Sequence, residues 1–170
     1  MKKLLLASLF FIPASLYATS YDSGSYGNFS VPVASVSASG TAYALTATTA
    51  TLDFGTIDPS FTISQPGTYV IFSRAALFYN GATFAGNRNI LLKLRRTNNT
   101  AADLTGASTT FIVAVVTILT YEAGAVNLPV VLYTTTNADD VIALQGAINA
   151  VPAAGSMEVT EADIQAIRIK

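Results

Sequence analysis

Residues 61–79, FTISQPGTYVIFSRAALFY, begin as an alternating strand and end as something more apolar. Phe61 and Ile63 stand between polar neighbours, then Gln65-Pro66-Gly67 interrupts the run. Pro sets φ for a turn and Gly permits a tight backbone, so the pattern predicts strand, turn and long strand. From Thr68 to Ala76 the second strand is apolar on both faces. A half-solvated edge strand would not be, so both faces need cover.

The rest of the chain reads as further short strands. Residues 43–54 carry apolar points at Tyr43, Leu45, Leu52 and Phe54, followed by turn chemistry over 55–59. A loop spans 80–87. In 90–96, Ile90, Leu92 and Leu94 share one face and Lys93 and Arg95 the other, a strand with one wet side. Residues 98–108 are polar and predict a loop. Residues 109–121, TTFIVAVVTILTY, are β-branched and free of proline, and predict one long buried strand turned by 122–124. Another strand is expected over 128–135 and a loop over 136–140. Residues 141–148 fit either a strand or a helical turn, because Leu144, Ala147 and Ile148 suit both. A loop over 151–155 precedes a last strand at 164–169. Short strands separated by turn signals, with no long amphipathic helix, predict an all-β sandwich or barrel.

The doubly apolar strands bear on assembly. Only one face of each sheet meets the core of an antiparallel sandwich. In 109–121, Phe111, Val113, Val115 and Leu119 share one face, and Ile112, Val116 and Ile118 the other. Leaving one such face in water forgoes roughly 1.5–3 kcal/mol per large side chain. A loop or linker could cover it within one chain; a subunit interface covers it more completely. Phe72, Phe111, Val113, Val115 and Leu119 are the expected interface residues.

Composition supports this. The 170 residues are 51% hydrophobic and only 11% charged, against a usual quarter. Residues 1–18, MKKLLLASLFFIPASLYA, have a basic start, an apolar centre and small residues before Thr19, the pattern of a secretory leader cut after Ala18. The run is too short to span a bilayer and no second candidate span follows, so the mature chain is expected outside the cytoplasm, secreted or on a cell surface. Without Lys2 and Lys3 the chain keeps 7 basic and 10 acidic residues, a net of −3, which argues against nucleic acid as a partner. Residues 19–40, rich in Ser, Gly and Tyr, predict an extended linker, with Tyr21, Tyr26 and Phe29 as contact points for a partner or simply parts of a leash. The domain then runs over 41–170.

There is no Cys and no His. Disulfides, thiolate or imidazole metal sites and His-dependent triads are therefore excluded. Asp139 and Asp140 are weak calcium candidates; no other cofactor is expected. Glu158, Glu161 and Asp163 form a second acidic stretch, either a carboxylate pair for sugar hydrolysis or a charged rim. Arg88, Lys93, Arg95 and Arg96 make a modest basic face, able to bind an anion or glycan or simply the wet side of a strand. Asn28-Phe29-Ser30 and Asn98-Asn99-Thr100 match the glycan acceptor pattern.

Pro66-Gly67-Thr68-Tyr69-Val70-Ile71-Phe72 resembles the P-x-G-x-Y-x-F/V signature of the tumour necrosis factor and complement C1q-like jelly-roll superfamily. The flanks resemble it too: 61–64 as the preceding strand, 110–124 as a long strand ending in a glycine turn, 128–135 as the next and 163–169 as the closing strand. There is no Gly-x-y collagen stalk, Ala125 follows Gly124 where an acid is common, and the terminal aromatic-Gly segment is missing. The resemblance, closer to bacterial-type secreted members than to cytokines, implies an antiparallel jelly roll, a homotrimer and an extracellular role. In that signature Tyr69 points inward, which puts Phe72 on the opposite face by alternation. The expectation is a non-catalytic trimeric module that serves as a structural or surface-assembly subunit. The alternative is an adhesin or recognition head for a glycan or host protein.

Overall fold

A computed structural model describes residues 32–113 and 119–170. Its strands are β1 (Pro32–Ala44), β2 (Ala50–Thr51), β3 (Ser60–Thr62), β4 (Gly67–Thr83), β5 (Arg88–Arg96), β6 (Ala102–Val113), β7 (Leu119–Asn127), β8 (Val131–Thr135), β9 (Val141–Ile148) and β10 (Ala154–Arg168). All pairings are antiparallel. The first sheet has the order β1-β10-β4-β7, with β8 pairing the other end of β4; the second has β2-β9-β5-β6, with β3 also on β9. The chain passes from one sheet to the other between β1 and β2, β3 and β4, β4 and β5, β6 and β7, β8 and β9, and β9 and β10. That connectivity makes the fold an antiparallel jelly-roll sandwich, the expected class.

Alternation along β4 sets the layers. Tyr69, Ile71, Ala75, Leu77 and Tyr79 are buried between the sheets, while Phe72, Arg74 and Asn80 face out. The second sheet answers with Ile90, Leu92, Leu94, Ile142, Leu144 and Ile148. Tyr79 packs edge-on to Phe84, with ring centroids 6.2 Å apart. Tyr69 is inward and Phe72 outward, as the signature implies. Ser73 is the exception on the inner face: its hydroxyl is buried without a hydrogen-bond partner.

The Pro66-Gly67 turn is held by the end of the chain. Arg168 donates to the Gln65 side chain and to the Pro66 carbonyl, both at 2.8 Å. Thr68 N–H donates to the Lys170 carbonyl at 2.7 Å, and Ile169 N–H returns a bond to Thr68 at 2.8 Å. Tyr69 donates its hydroxyl to the Gln65 carbonyl. A Cβ at Gly67 would stand 2.2 Å from the Lys170 carbonyl oxygen. The glycine of the motif is thus required by the C-terminal residues that lie against it.

Several expectations are corrected. Residues 109–121 are not one strand: β6 ends at Val113 in the second sheet and β7 begins at Leu119 in the first. The apolar run thus spans a change of sheet rather than a single strand covered on both faces. Residues 102–108, read as loop, belong to β6, an edge strand whose Thr and Ser face solvent. Residues 141–148 form β9 and not a helical turn. Residues 128–135 are interrupted, since β7 stops before Leu128 and β8 starts after Pro129. The last strand begins at Ala154. Residues 32–40, placed in the linker, form most of β1, in which Ala34, Val36 and Ala38 turn toward the core. The leader and residues 19–31 lie outside the described residues.

Replacing Gly67 with Ala forces a side chain against backbone in a conformation rarely taken by L residues, at a cost of about 1–3 kcal/mol. Thermal unfolding followed by circular dichroism is expected to show a melting temperature lower by several degrees. An unchanged melting temperature would contradict this role for the clasp.

Candidate functional site

Where β5 and β8 end and β9 begins, loops from both sheets converge on one carboxylate. Asp140 is fully buried and accepts hydrogen bonds from Tyr133 Oη at 2.6 Å, Thr135 Oγ1 at 2.6 Å and Asn99 Nδ2 at 2.7 Å. Arg96 stands 3.6 Å away and donates to the Tyr133 hydroxyl at 3.3 Å and to the Thr100 carbonyl. Burial pushes the Asp140 carboxyl up. The bonds from Thr135, Tyr133 and Asn99 and the Arg96 charge outweigh it and hold the pKa at about 2. Asn99 takes a left-handed backbone, φ 54°, to present its amide. The neighbouring Asn98 accepts from Val141 N–H at 2.7 Å and donates to the Asp139 carbonyl.

The cluster fastens loops and offers no ligand site. A calcium ion needs six to eight oxygens, whereas the Asp140 carboxylate faces three donors and a guanidinium. The calcium candidacy of Asp140 is therefore corrected. Asp139 alone supplies too few oxygens, and no group of three or more acidic side chains suited to a metal occurs among the described residues. The acceptor pattern at Asn98 likewise has its amide engaged in the fold; Asn28 lies outside the described residues.

The other polar groups also close on themselves. Asp103 joins Lys93 at 2.9 Å and Arg95 at 2.8 Å, which neutralises much of the basic face. Glu158 accepts from Asn80 at 2.9 Å and from Ser156. Asp163 pairs with Arg74. Burial raises its pKa, but bonds from Ser37 and Arg74 bring it below the usual range, the reverse of what a general acid needs. Glu161 borders a recess of about 180 Å³ with Ala76, Leu77, Gly124, Ala125 and Thr160, where pairing irregularities on both sides of β4 open the sheet. Its polar side chains are one carboxylate and the Thr160 hydroxyl.

What remains unaccounted for is the outer face of the first sheet. At one end a row of residues runs across three strands: Ile167 pairs Val70, and Val70 pairs Leu132. Phe72 follows on β4, Ile169 continues past β10 and Val130 precedes β8. Leu132 is 70% exposed, Val130 56%, Ile169 51% and Phe72 39%. Next along the same face, midway along β4, stand the Arg74–Asp163 pair and Glu161, so the apolar row is bordered by charge.

Of the expected interface residues whose side chains are described, only Phe72 lies on this face. Val113 is 2% exposed within the chain's own core and Phe111 packs against that core, while Ile112 between them is 63% exposed. The interface role of Phe111 and Val113 is thus corrected: both turn toward the chain's own core. Val115 lies outside the described residues, as does the side chain of Leu119, which opens β7. Leu132 and Ile167 were missed because residues 128–135 and 164–169 alternate like any half-buried strand.

No family model and no curated protein matches the chain. Among solved structures it is similar to the globular domain of zebrafish complement 1qA protein, at 15% identity and a TM-score of 0.47 over 80% of this chain and 95% of that one.

Replacing Asp140 with Asn removes the charge that Arg96 and three donors enclose, and is expected to cost about 2–4 kcal/mol at pH 7. The native carboxyl titrates below its unfolded value near 4. Its contribution is therefore complete above about pH 4 and is lost as pH falls toward 2. Melting temperatures over that window should fall more steeply for the native chain than for Asp140→Asn; parallel curves would contradict the assignment. Calcium titration of the native chain should release no heat and leave the melting temperature unchanged.

Proposed function

We propose that this chain is a non-catalytic module, secreted or held on a cell surface, that self-associates through the outer face of the first sheet into a homotrimer and serves as a structural subunit. The observation that carries this reading is the apolar row of Val70, Phe72, Leu132 and Ile167 with Val130 and Ile169 beside it. Single exposed apolar residues need no explanation, but the exposed Phe72, Val130, Leu132 and Ile169 beside the half-buried Val70 and Ile167 mark a contact surface. Covering a large side chain gains roughly 1.5–3 kcal/mol, so several together offset the rigid-body entropy of association. The charges that border the row, Arg74 beside Asp163 and Glu161, supply orientation, since like charges in the wrong register repel.

The catalytic alternative has little to stand on. The chain has no His or Cys, and the carboxylates described are paired or lie beside a recess without a partner base. The leader pattern and the low charge content support a location outside the cytoplasm.

Size-exclusion chromatography with light scattering on the chain from Thr19 onward should give three times the monomer mass. Phe72→Asp should return it to one, with the β-rich circular dichroism spectrum intact. A native chain that stays monomeric at tens of micromolar would overturn the reading. So would a Phe72→Asp chain that is folded and still trimeric.

A further inference from the structure

The edge of a sheet is an open row of hydrogen-bonding groups unless the fold blunts it. Most edges here are blunted. β1 opens with Pro32, shifts register between Ser39 and Tyr43, and is tied by Thr41 N–H to the Phe54 carbonyl. β7 carries Gly124 at a register shift, and β8, β2 and β3 have only 5, 2 and 3 residues. The edge of β6 differs. Among the described residues it pairs with β5 alone. Its one charge, Asp103, is held by Lys93 and Arg95, and residues 107–113, ASTTFIV, contain no charge, Pro or Gly. A neutral, β-branched segment left open at an edge is a template for a further strand.

The pairing shows which backbone groups of β6 are open. Asn149 N–H donates to the Asn89 carbonyl at 3.0 Å, and Asn89 N–H donates to the Asn149 side chain at 3.0 Å, so Asn89 turns both its groups to the β9 side. Alternation sends those of Arg88, Ile90 and Leu92 to β6, where they meet Val113, Phe111 and Thr109. The residues between, Ser108, Thr110 and Ile112, direct N–H and C=O away from the sheet. Their side chains are exposed as well, Ile112 at 63%. We infer that this edge pairs antiparallel with the same edge of a second copy, about a twofold axis at Thr110, and joins the second sheets of two chains. Thr110 then faces Thr110, and Ser108 faces Ile112, so each open N–H of one copy meets an open C=O of the other. The edge itself selects a second copy. It offers no charge for a different partner to recognise, and its open groups complement their own inverted set. The side chains brought together are small or β-branched, and Ile112 gains cover beside Ser108 and Thr110. Each bond nets little against water, so one edge is a weak contact. A trimer presents one edge per subunit and is linked to further trimers through them. The contact lies on the second sheet and is independent of the outer face of the first.

The test uses the chain from Thr19 onward with Phe72→Asp, which leaves the β6 edge untouched. Between tens of micromolar and one millimolar, light scattering should show the mean mass rise about 1.5-fold, as a weak pair requires. Amide exchange at Ser108, Thr110 and Ile112 should slow about twofold over that range, while Thr109 and Phe111, already bonded to β5, stay unchanged. Thr110→Pro removes an open donor without breaking a bond to β5, and Thr110→Lys sets like charges on the axis. Both should abolish the rise with the β-rich circular dichroism spectrum intact. The same charge on β1, Ser35→Lys, should leave the rise as it is. A mass that stays constant, a rise that survives in a folded Thr110 variant, or an equal loss in Ser35→Lys would overturn the inference. The two readings fail separately. A native chain that is monomeric at tens of micromolar and gains mass only toward one millimolar removes the trimer and leaves the edge. A trimer whose mass stays constant over the range removes only the edge.

Discussion

β4 is paired along both edges, and the rest of the first sheet depends on that. One edge holds β10 from Tyr69–Arg168 to Thr83–Ala154, and the other holds β7 and β8 in succession. A strand in this position cannot shift register by one residue without moving every inward side chain to the outside. Tyr69, Ile71, Leu77 and Tyr79 would all change faces together. Their burial therefore fixes the positions of β10, β8 and, through β10, β1. The apolar row exists because this register places Val70 between Ile167 and Leu132 on the outer side.

The Asp140 cluster does for the loops what β4 does for the strands. It joins Arg96 at the end of β5, Asn99 in the following turn, Tyr133 and Thr135 on β8, and the residue that leads into β9. These strands belong to both sheets, so one carboxylate ties the layers where no disulfide can. Buried charge of this kind is a weak source of net stability but a costly one to break. The cluster is best understood as holding one arrangement of loops against alternatives.

Much of the fold was legible because it depends on local alternation. The faces of β4, the wet side of β5 and the turn at Pro66-Gly67 follow from two-residue periodicity and turn chemistry. Residues 109–121 misled because apolarity on both faces has two causes, a doubly covered strand or a change of sheet, and composition cannot separate them. Residues 102–108 misled because an exposed edge strand and a loop share the same Ser, Thr and Gly. The Asp140 cluster was out of reach for another reason: Asn99 lies 41 residues from Asp140, and only tertiary closure brings them together. Leu132 and Ile167 were visible as strand residues, but their sharing of a row with Val70 is a fact of pairing.

The pairing of the first strand with the last has a kinetic meaning. Ala34 stands opposite Ala166, and the turn at Gly67 is fastened by Arg168 and Lys170. Contacts this distant along the chain are closed late and slowly. The first sheet cannot be completed until β10 has been synthesised, because β10 lies between β1 and β4. Until then the edges of β1 and β4 that β10 covers stay open, each a template for pairing with another chain.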